Sequence, residues 1–408
     1  MKYFKNTDLA KLYHVSEKSV RNWIESAESG KLQLALHKEN SRSFIANTAS
    51  NVHQVERIVQ KGRKFRNTRG TKTITPTEKF YKYLSTEQIF DIISGIDIHR
   101  EIDQKYSYFA EGAEAWNKYV KHMADEEYPN LLSDTIDLLE LSQDYLDTFL
   151  AGCSGVNVID IGVGNGMPVK PLLQHLLGKK VLNRYLALDT SSDMIDIAQK
   201  NIESWFAGQV PFERYVKDVN YDRFDELLVA DSFSKGEEKV INLVLYLGSG
   251  IANMRNPDFP LRTISASMGK DDIFVLSRRL DTPEIRRLFD IGATAKESKL
   301  KDRQKAIVEM LGIEESFYHV EQFFDTERMR RVIQIRLNVD LSINFKLGDK
   351  KRIIYIHKGE PIILWHANHA GMIEVAHQFD KNGFDIQQLT KSKDQQHLQI
   401  ISKIRIDQ

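Results

Sequence analysis

Residues 158–166 read Val-Ile-Asp-Ile-Gly-Val-Gly-Asn-Gly, and no other stretch limits the fold as much. Val158, Ile159 and Ile161 have the apolar character of a parallel strand buried on both faces. Gly162, Gly164 and Gly166 make a tight turn, and Pro168 through Leu177 carry the pattern of the helix that follows. A strand, a glycine turn and a helix N-terminus form the nucleotide-binding corner of a doubly wound α/β sheet. Asp160, just before the first glycine, narrows the ligand further. Glycines that cradle a pyrophosphate serve an anion, which needs donors. A carboxylate at that place repels an anion and favours a nucleoside with a cationic tail.

S-adenosylmethionine (SAM) meets that requirement, because its amino group and its sulfonium are both cationic. The segment therefore predicts a SAM-binding, Rossmann-like sheet rather than a dinucleotide site. The following elements suit it. Arg184–Asp189 reads as the second strand, and Asp189 at its end can accept both ribose hydroxyls. Ser191 and Ser192 can cap the next helix, 193–204, so Asp189 is not needed as a cap. Asp218 falls where a third strand would end and is expected to face the adenine amino group. An apolar run from Val240 to Leu247 reads as a central fourth strand, running into Gly248-Ser-Gly-Ile-Ala-Asn253. That loop would face the transferred methyl, which makes Asn253 a candidate to hold the nucleophile. Asp272–Ser277 completes the reading as a fifth strand.

A chain of 408 residues with 41% hydrophobic content supports two or three domains with real cores. No apolar run reaches membrane-spanning length, and the N-terminus lacks the apolar core of a signal peptide. Cys153 is the one cysteine, so neither a disulfide framework nor a zinc cluster is expected, and a cytoplasmic location is the simplest reading. The formal net charge of zero conceals an uneven distribution. Residues 1–72 hold 15 Lys/Arg against 6 Asp/Glu, +9, and the remainder carries −9.

Within this basic head, Thr7–His14 reads as a short helix. Ser16 then caps a second helix from Glu17 to about Ser26, with Val20, Trp23 and Ile24 inward. Lys18, Ser19, Arg21 and Asn22 face outward there and could reach bases or phosphates in a major groove. Leu32–Leu36 and Ser43–Ala46 flank Lys38–Arg42 as a β-hairpin wing. The unit resembles a winged helix-turn-helix of the MerR-like kind. Residues 61–72, including Arg63, Lys64 and Arg66, hold six cations in twelve residues and suit phosphate contact. A solvated linker, a protein contact or a homodimer contact are the other readings of this region.

The body resembles the histidine-specific SAM-dependent methyltransferases, of which the histidine Nα-methyltransferase of ergothioneine biosynthesis is typical. Matching pieces occur in the family's order: Lys105-Tyr-Ser-Tyr-Phe-Ala-Glu-Gly112-Ala-Glu-Ala-Trp, Glu126-Glu-Tyr-Pro129, the glycine loop, and Leu247-Gly-Ser-Gly-Ile-Ala-Asn253. The resemblance covers roughly residues 100–408 and leaves out the head. It implies a class I methyltransferase sheet with an inserted α+β accessory domain. The resulting organisation is 1–66 winged helix-turn-helix, 67–77 linker, 78–285 core with a helical N-terminal part, 286–365 substrate cap, and 366–408 return to the sheet. It also implies that Tyr108 and Asn253 hold a substrate amino acid, while Gly162, Asp189 and Asp218 contact SAM.

Departures from the family pattern concern the acceptor. A family tyrosine that contacts the substrate amine falls at about Glu127, and the imidazole-reading Glu-x-Ser falls near Leu364-Trp-His366. Leu and His supply neither the acid nor the hydroxyl that an imidazole needs, and polar sites discriminate sharply. The expected activity is N-methylation of an amino acid or small amine other than histidine, with Trp365 and His366 shaping the pocket and Glu127 or water taking the proton. A SAM- or metabolite-sensing regulator with an inactive body is the alternative. His357, His366, His369 and His377 could be metal ligands, His366 and His369 as a pair on a helix, but no acid or cysteine completes an obvious set and no metal is expected. DNA methylation is disfavoured too, since Asn256-Pro-Asp-Phe259 comes late after the fourth strand and reads as a helix start.

Overall fold

The computed structural model describes residues 3–13, 15–62, 70–126, 128–229, 239–289 and 296–406. It divides into two compact units. One comprises Met1–Ile102, Val308–Val320 and Gln334–Leu364; the other comprises Asp103–Ile307, Glu321–Ile333 and Trp365–Gln408.

The second unit is built on seven strands: β1 (Gly155–Ile161), β2 (Leu182–Asp189), β3 (Phe212–Val216), β4 (Val240–Tyr246), β5 (Ile273–Arg279), β6 (Phe384–Lys391) and β7 (His397–Ile404). Their order across the sheet is β6-β7-β5-β4-β1-β2-β3. The first five are parallel, and β7 runs antiparallel to both its neighbours. β1 is buried along its whole length, as a central strand covered on both faces must be. Val156 and Val158 pack into a core with Leu172, Leu176 and Ile195. Ile159 and Ile161 turn the other way, towards Leu261, Ile264 and Phe379. Helices thus cover both faces, and the chain reverses direction across the sheet at β1 and β4, where such sheets open a crevice at the carboxyl ends of their strands.

At the opposite ends of the strands lies a buried polar ladder. Asn183 donates to Asn157 (2.7 Å), Asn157 to Asn242 (2.8 Å) and Asn242 to Asp272 (2.8 Å). It links the starts of β2, β1, β4 and β5. A further sheet has the order Pro361–Asn368, Arg330–Leu337, Tyr318–Asp325, Lys296–Ser298.

The first unit begins with helices Asn6–Leu12 and Glu17–Glu28, the hairpin Leu36–Glu39/Arg42–Ile45 and helix Ala49–Gly62. Leu9, Tyr13, Val20, Ile24, Ile45, Val55 and Val59 form its small core, which Ile98 also joins. Ser16 caps the second helix by accepting from Ser19 N (3.1 Å). The hairpin is tighter than the expected wing. Asn40 and Ser41 both have positive φ (49° and 64°), and such a two-residue turn moves the pairing to Leu36↔Ile45 through Glu39↔Arg42. Leu32–Ala35 is consequently not strand. Asn51 is buried and fixes the loop by bonding Ala35 N, Ala35 O and Ala46 O. The stretch expected as a linker is not wholly irregular either. Lys72–Ile74 is a strand parallel to Leu341–Ile343.

Candidate active site

A cavity of about 500 Å³ opens at the carboxyl ends of β1, β2 and β4, and all of its lining belongs to the second unit. Its floor is the glycine turn. Gly162, Gly164 and Gly166 have φ of +65°, +57° and +77°, which side-chain-bearing residues rarely adopt. Gly162 and Gly164 line the cavity. Gly166 does not; a Cβ there would meet Ile202 Cδ1 at 3.3 Å, so its role is close packing against helix Ser192–Phe206.

Asp160 projects from the same face as Val158, into low dielectric, and accepts from Tyr185 Oη (2.7 Å). Burial pushes its carboxyl up to about 7; the Tyr185 hydrogen bond opposes this and the charge of Asp189 adds to it. Asp189 ends β2, accepts from Ser191 N (3.0 Å), and is pushed by burial up to about 6. It is not the helix cap. Ser191 fills that place, accepting from Met194 N (3.3 Å). Two acids whose carboxyls burial raises are suited to a cation, whose arrival favours their charged forms.

Ser191 also positions the opposite wall, because its Oγ donates to Tyr108 O (2.6 Å). Asp193 accepts from Ala110 N (2.7 Å). These two bonds hold the turn Gln104–Tyr108, and Tyr108 packs edge-on against Trp116 at 5.5 Å. The loop after β4 is strapped to β5. Gly248 N donates to Ser277 Oγ (2.9 Å), Ser249 N to Ser277 O (3.2 Å), and Ser249 Oγ accepts from Arg279 N (2.7 Å). Ser249 is held at φ +66°, a strained conformation for a residue with a side chain. The strap delivers Gly248 and, through the short turn Gly250–Asn253, Asn253 to the cavity. Asp218 lines it as well, with Lys105 Nζ at 2.8 Å and Asn220 Nδ2 at 2.8 Å on its two oxygens.

One expected wall residue is absent. Residues 361–368 form a strand, so alternate side chains face opposite ways. Trp365 and Ala367 line the cavity, whereas His366 is buried and lies outside the lining. The same geometry removes the helical His366/His369 pair proposed for a metal. Glu127 lies outside the described residues. In the head, Lys18, Arg21 and Asn22 are exposed, and Arg21 pairs with Glu17 at 3.3 Å. Ser19 is half-buried and its Oγ bonds Ser16 Oγ (2.9 Å). Arg63, Lys64 and Arg66 lie outside the described residues.

Sequence reasoning missed a group of cavity cations: Lys105, Arg279, Lys301, Arg303 and Arg331. Lys105 stood inside a quoted motif, but nothing local marks Arg303 or Arg331, which tertiary folding brings in from distant segments.

The cavity residues fit SAM. Asp160 would suit its cationic tail and the strand-end Asp189 its ribose, and the left-handed glycines carry no side chains into the cavity. Among solved structures the chain is similar to a SAM-dependent methyltransferase from Clostridium acetobutylicum (11% identity, 72% of this chain and 98% of that one, TM-score 0.40). It is also similar to magnesium protoporphyrin IX methyltransferase from Synechocystis with bound SAH (12% identity, 74% and 98%, TM-score 0.41). The class of the fold rests on the strand order and not on these likenesses. A search for curated relatives finds no match. A family model does match, over residues 88–403, and its span takes in the glycine turn, Asp189 and the Gly248–Asn253 loop. The chain whose cavity these segments line belongs to the histidine-specific, SAM-dependent methyltransferase family.

Proposed function

We propose that this chain is a SAM-dependent N-methyltransferase for an amino acid or small amine other than histidine, joined to a DNA-binding head. The observation that carries the acceptor reading is the strand 361–368. It presents Trp365 and Ala367 to the cavity that also holds Tyr108 and Asn253. The imidazole-reading pair expected of the family is an acid and a hydroxyl; Leu364 and His366, where the sequence placed that pair, are buried outside the lining, and the strand offers the cavity an indole and a methyl instead.

When bound, SAM supplies an electrophilic methyl group. The protein's task is to hold a neutral, desolvated nitrogen in line with it, and alignment of that kind contributes up to about 7–11 kcal/mol. Asn253 and Tyr108 orient the nitrogen in this reading, and Glu127 or a water accepts the released proton. The head reading rests on the outward Lys18, Arg21 and Asn22 of the second helix beside a tight hairpin. The retention of cofactor residues alongside altered acceptor residues also suits a second reading, a SAM-sensing regulator without turnover.

Methyl release from labelled SAM over a panel of amines and amino acids, histidine included, tests the proposal. Turnover of a non-histidine acceptor is expected, with kcat/KM reduced about 100-fold or more in Asn253→Ala and SAM affinity unchanged. SAM binding without turnover on any member supports the sensor, and efficient methylation of histidine overturns the acceptor reading.

A further inference from the structure

We propose that the acceptor carries a multiply charged anionic group, a phosphate ester or a cluster of carboxylates, which Arg279, Lys301, Arg303 and Arg331 bind. This deepens the methyltransferase reading and rests on it. The four cations line the same cavity as Tyr108 and Asn253. They come from separate segments: the end of β5, the loop and helix start at 301–303, and the strand Arg330–Leu337.

The cavity's strand-end acids lie at one side, where Lys105 pairs with Asp218 and Lys217 also lines the wall. Asp160 and Asp189 end β1 and β2, and Asp218 follows β3, whereas Arg279 ends β5 on the far side of β4. The cations are close enough to repel one another. Burial and then the charges of Arg303 and Arg331 hold the Lys301 ammonium below its usual range. Burial and then Arg279 push the Arg331 guanidinium down to about 10. Burial also lowers His369, with Arg331 and Arg279 adding to this against the nearby Asp281. Behind Arg279, its Nε lies 3.2 Å from His397 Nε2, and Asp134 sits 2.8 Å from His397 Nδ1. Asp134, Asp394 and His397 could by their spacing ligate a metal ion, but the adjacent Arg279 disfavours a cation there.

Aromatic faces hold the cationic side chains in place. Arg331 lies over Trp365 (5.3 Å), Lys301 over Tyr119 (5.2 Å), and Arg303 over Trp116 (5.0 Å) and Tyr108 (6.0 Å). Ring faces orient a guanidinium and leave its edge donors for a planar or tetrahedral anion. Gathering like charges in a partly desolvated wall is unfavourable until an anion arrives. SAM brings one carboxylate, which a single guanidinium can satisfy bidentately. Lys301 and Arg303, which line the cavity beside Arg331 and Arg279, exceed that single charge and suit negative charge on the acceptor.

Calorimetry on the full-length protein tests this in two stages. The first titration uses S-adenosylhomocysteine alone. Failure there overturns the methyltransferase reading, and the second stage is then run on the protein without it. The second stage titrates pyrophosphate, citrate and the neutral control erythritol. At least one anion is expected to bind well above the control, and the tighter of the two identifies phosphate or carboxylate as the source. Arg303→Gln/Arg331→Gln should weaken it about tenfold or more. Arg331→Lys, which keeps the charge but not the guanidinium edge, should bind more tightly than Arg331→Gln, and an unchanged thermal unfolding midpoint in the double variant excludes a folding defect. Binding of both anions no better than erythritol, or anion affinity unchanged in the double variant, overturns the proposal.

Discussion

Asp160 and Asp189 make the cavity sensitive to pH in a definite direction. Both carboxyls are raised by burial, to about 7 and about 6, so in the empty protein they take up protons at a higher pH than ordinary carboxyls do. A cationic ligand favours the ionised forms, and its binding releases protons. SAM affinity should therefore be full well above pH 7 and fall as pH drops through 7 and then 6, by up to about 100-fold between pH 8 and pH 5.5. Titration calorimetry at several pH values checks this, and Asp160→Asn should flatten the step nearest pH 7. These two acids were legible in the sequence because each belongs to a local pattern, a strand end beside a glycine turn or a helix cap. His366 was misplaced for the converse reason. A period-two strand and a helix both accommodate Trp-His-Ala-Asn-His, and only the strand turns His366 away from the cavity. Arg303 and Arg331 carry no local signal, since their meeting depends on tertiary structure alone.

Among the elements, the strands of the large sheet were readable to within a few residues from their apolar runs. The polar ladder beneath them was not, because single asparagines in apolar strands have no spacing rule. Asn157 and Asn242 stand directly opposite in the β1–β4 pairing, and their amides specify that register as well as satisfy one another. Asp272, raised by burial, accepts both from Asn242 and from Gly269 N. Asn242→Ala would leave Asn157 and Asp272 short of a partner in a buried setting. The expected loss is about 1–3 kcal/mol of unfolding free energy, read from urea denaturation with the m-value unchanged. The hairpin in the head was legible as a hairpin but not in its length, which depends on the left-handed Asn40–Ser41 turn.

On the scale of the whole molecule, the strand order β6-β7-β5-β4-β1-β2-β3 gathers the glycine turn, the strand-end acids and the Gly248–Asn253 loop along one edge. The charge asymmetry, +9 over residues 1–72 against −9 elsewhere, belongs to the same scale and motivates the proposed nucleic-acid role of the head. Gel shift against its own upstream DNA should show binding that weakens steeply with added salt. No shift at low salt would remove the head assignment and leave the catalytic reading untouched. In the proposed reading, the cavity binds SAM through the acids at the ends of β1 and β2. Equilibrium titration of the full-length protein with SAM at pH 8 tests it most directly. One site per chain is expected, with affinity reduced about 100-fold in Asp189→Ala through loss of charge-assisted hydrogen bonds. No binding by the wild type, or equal affinity in the variant, would rule out SAM binding through these acids.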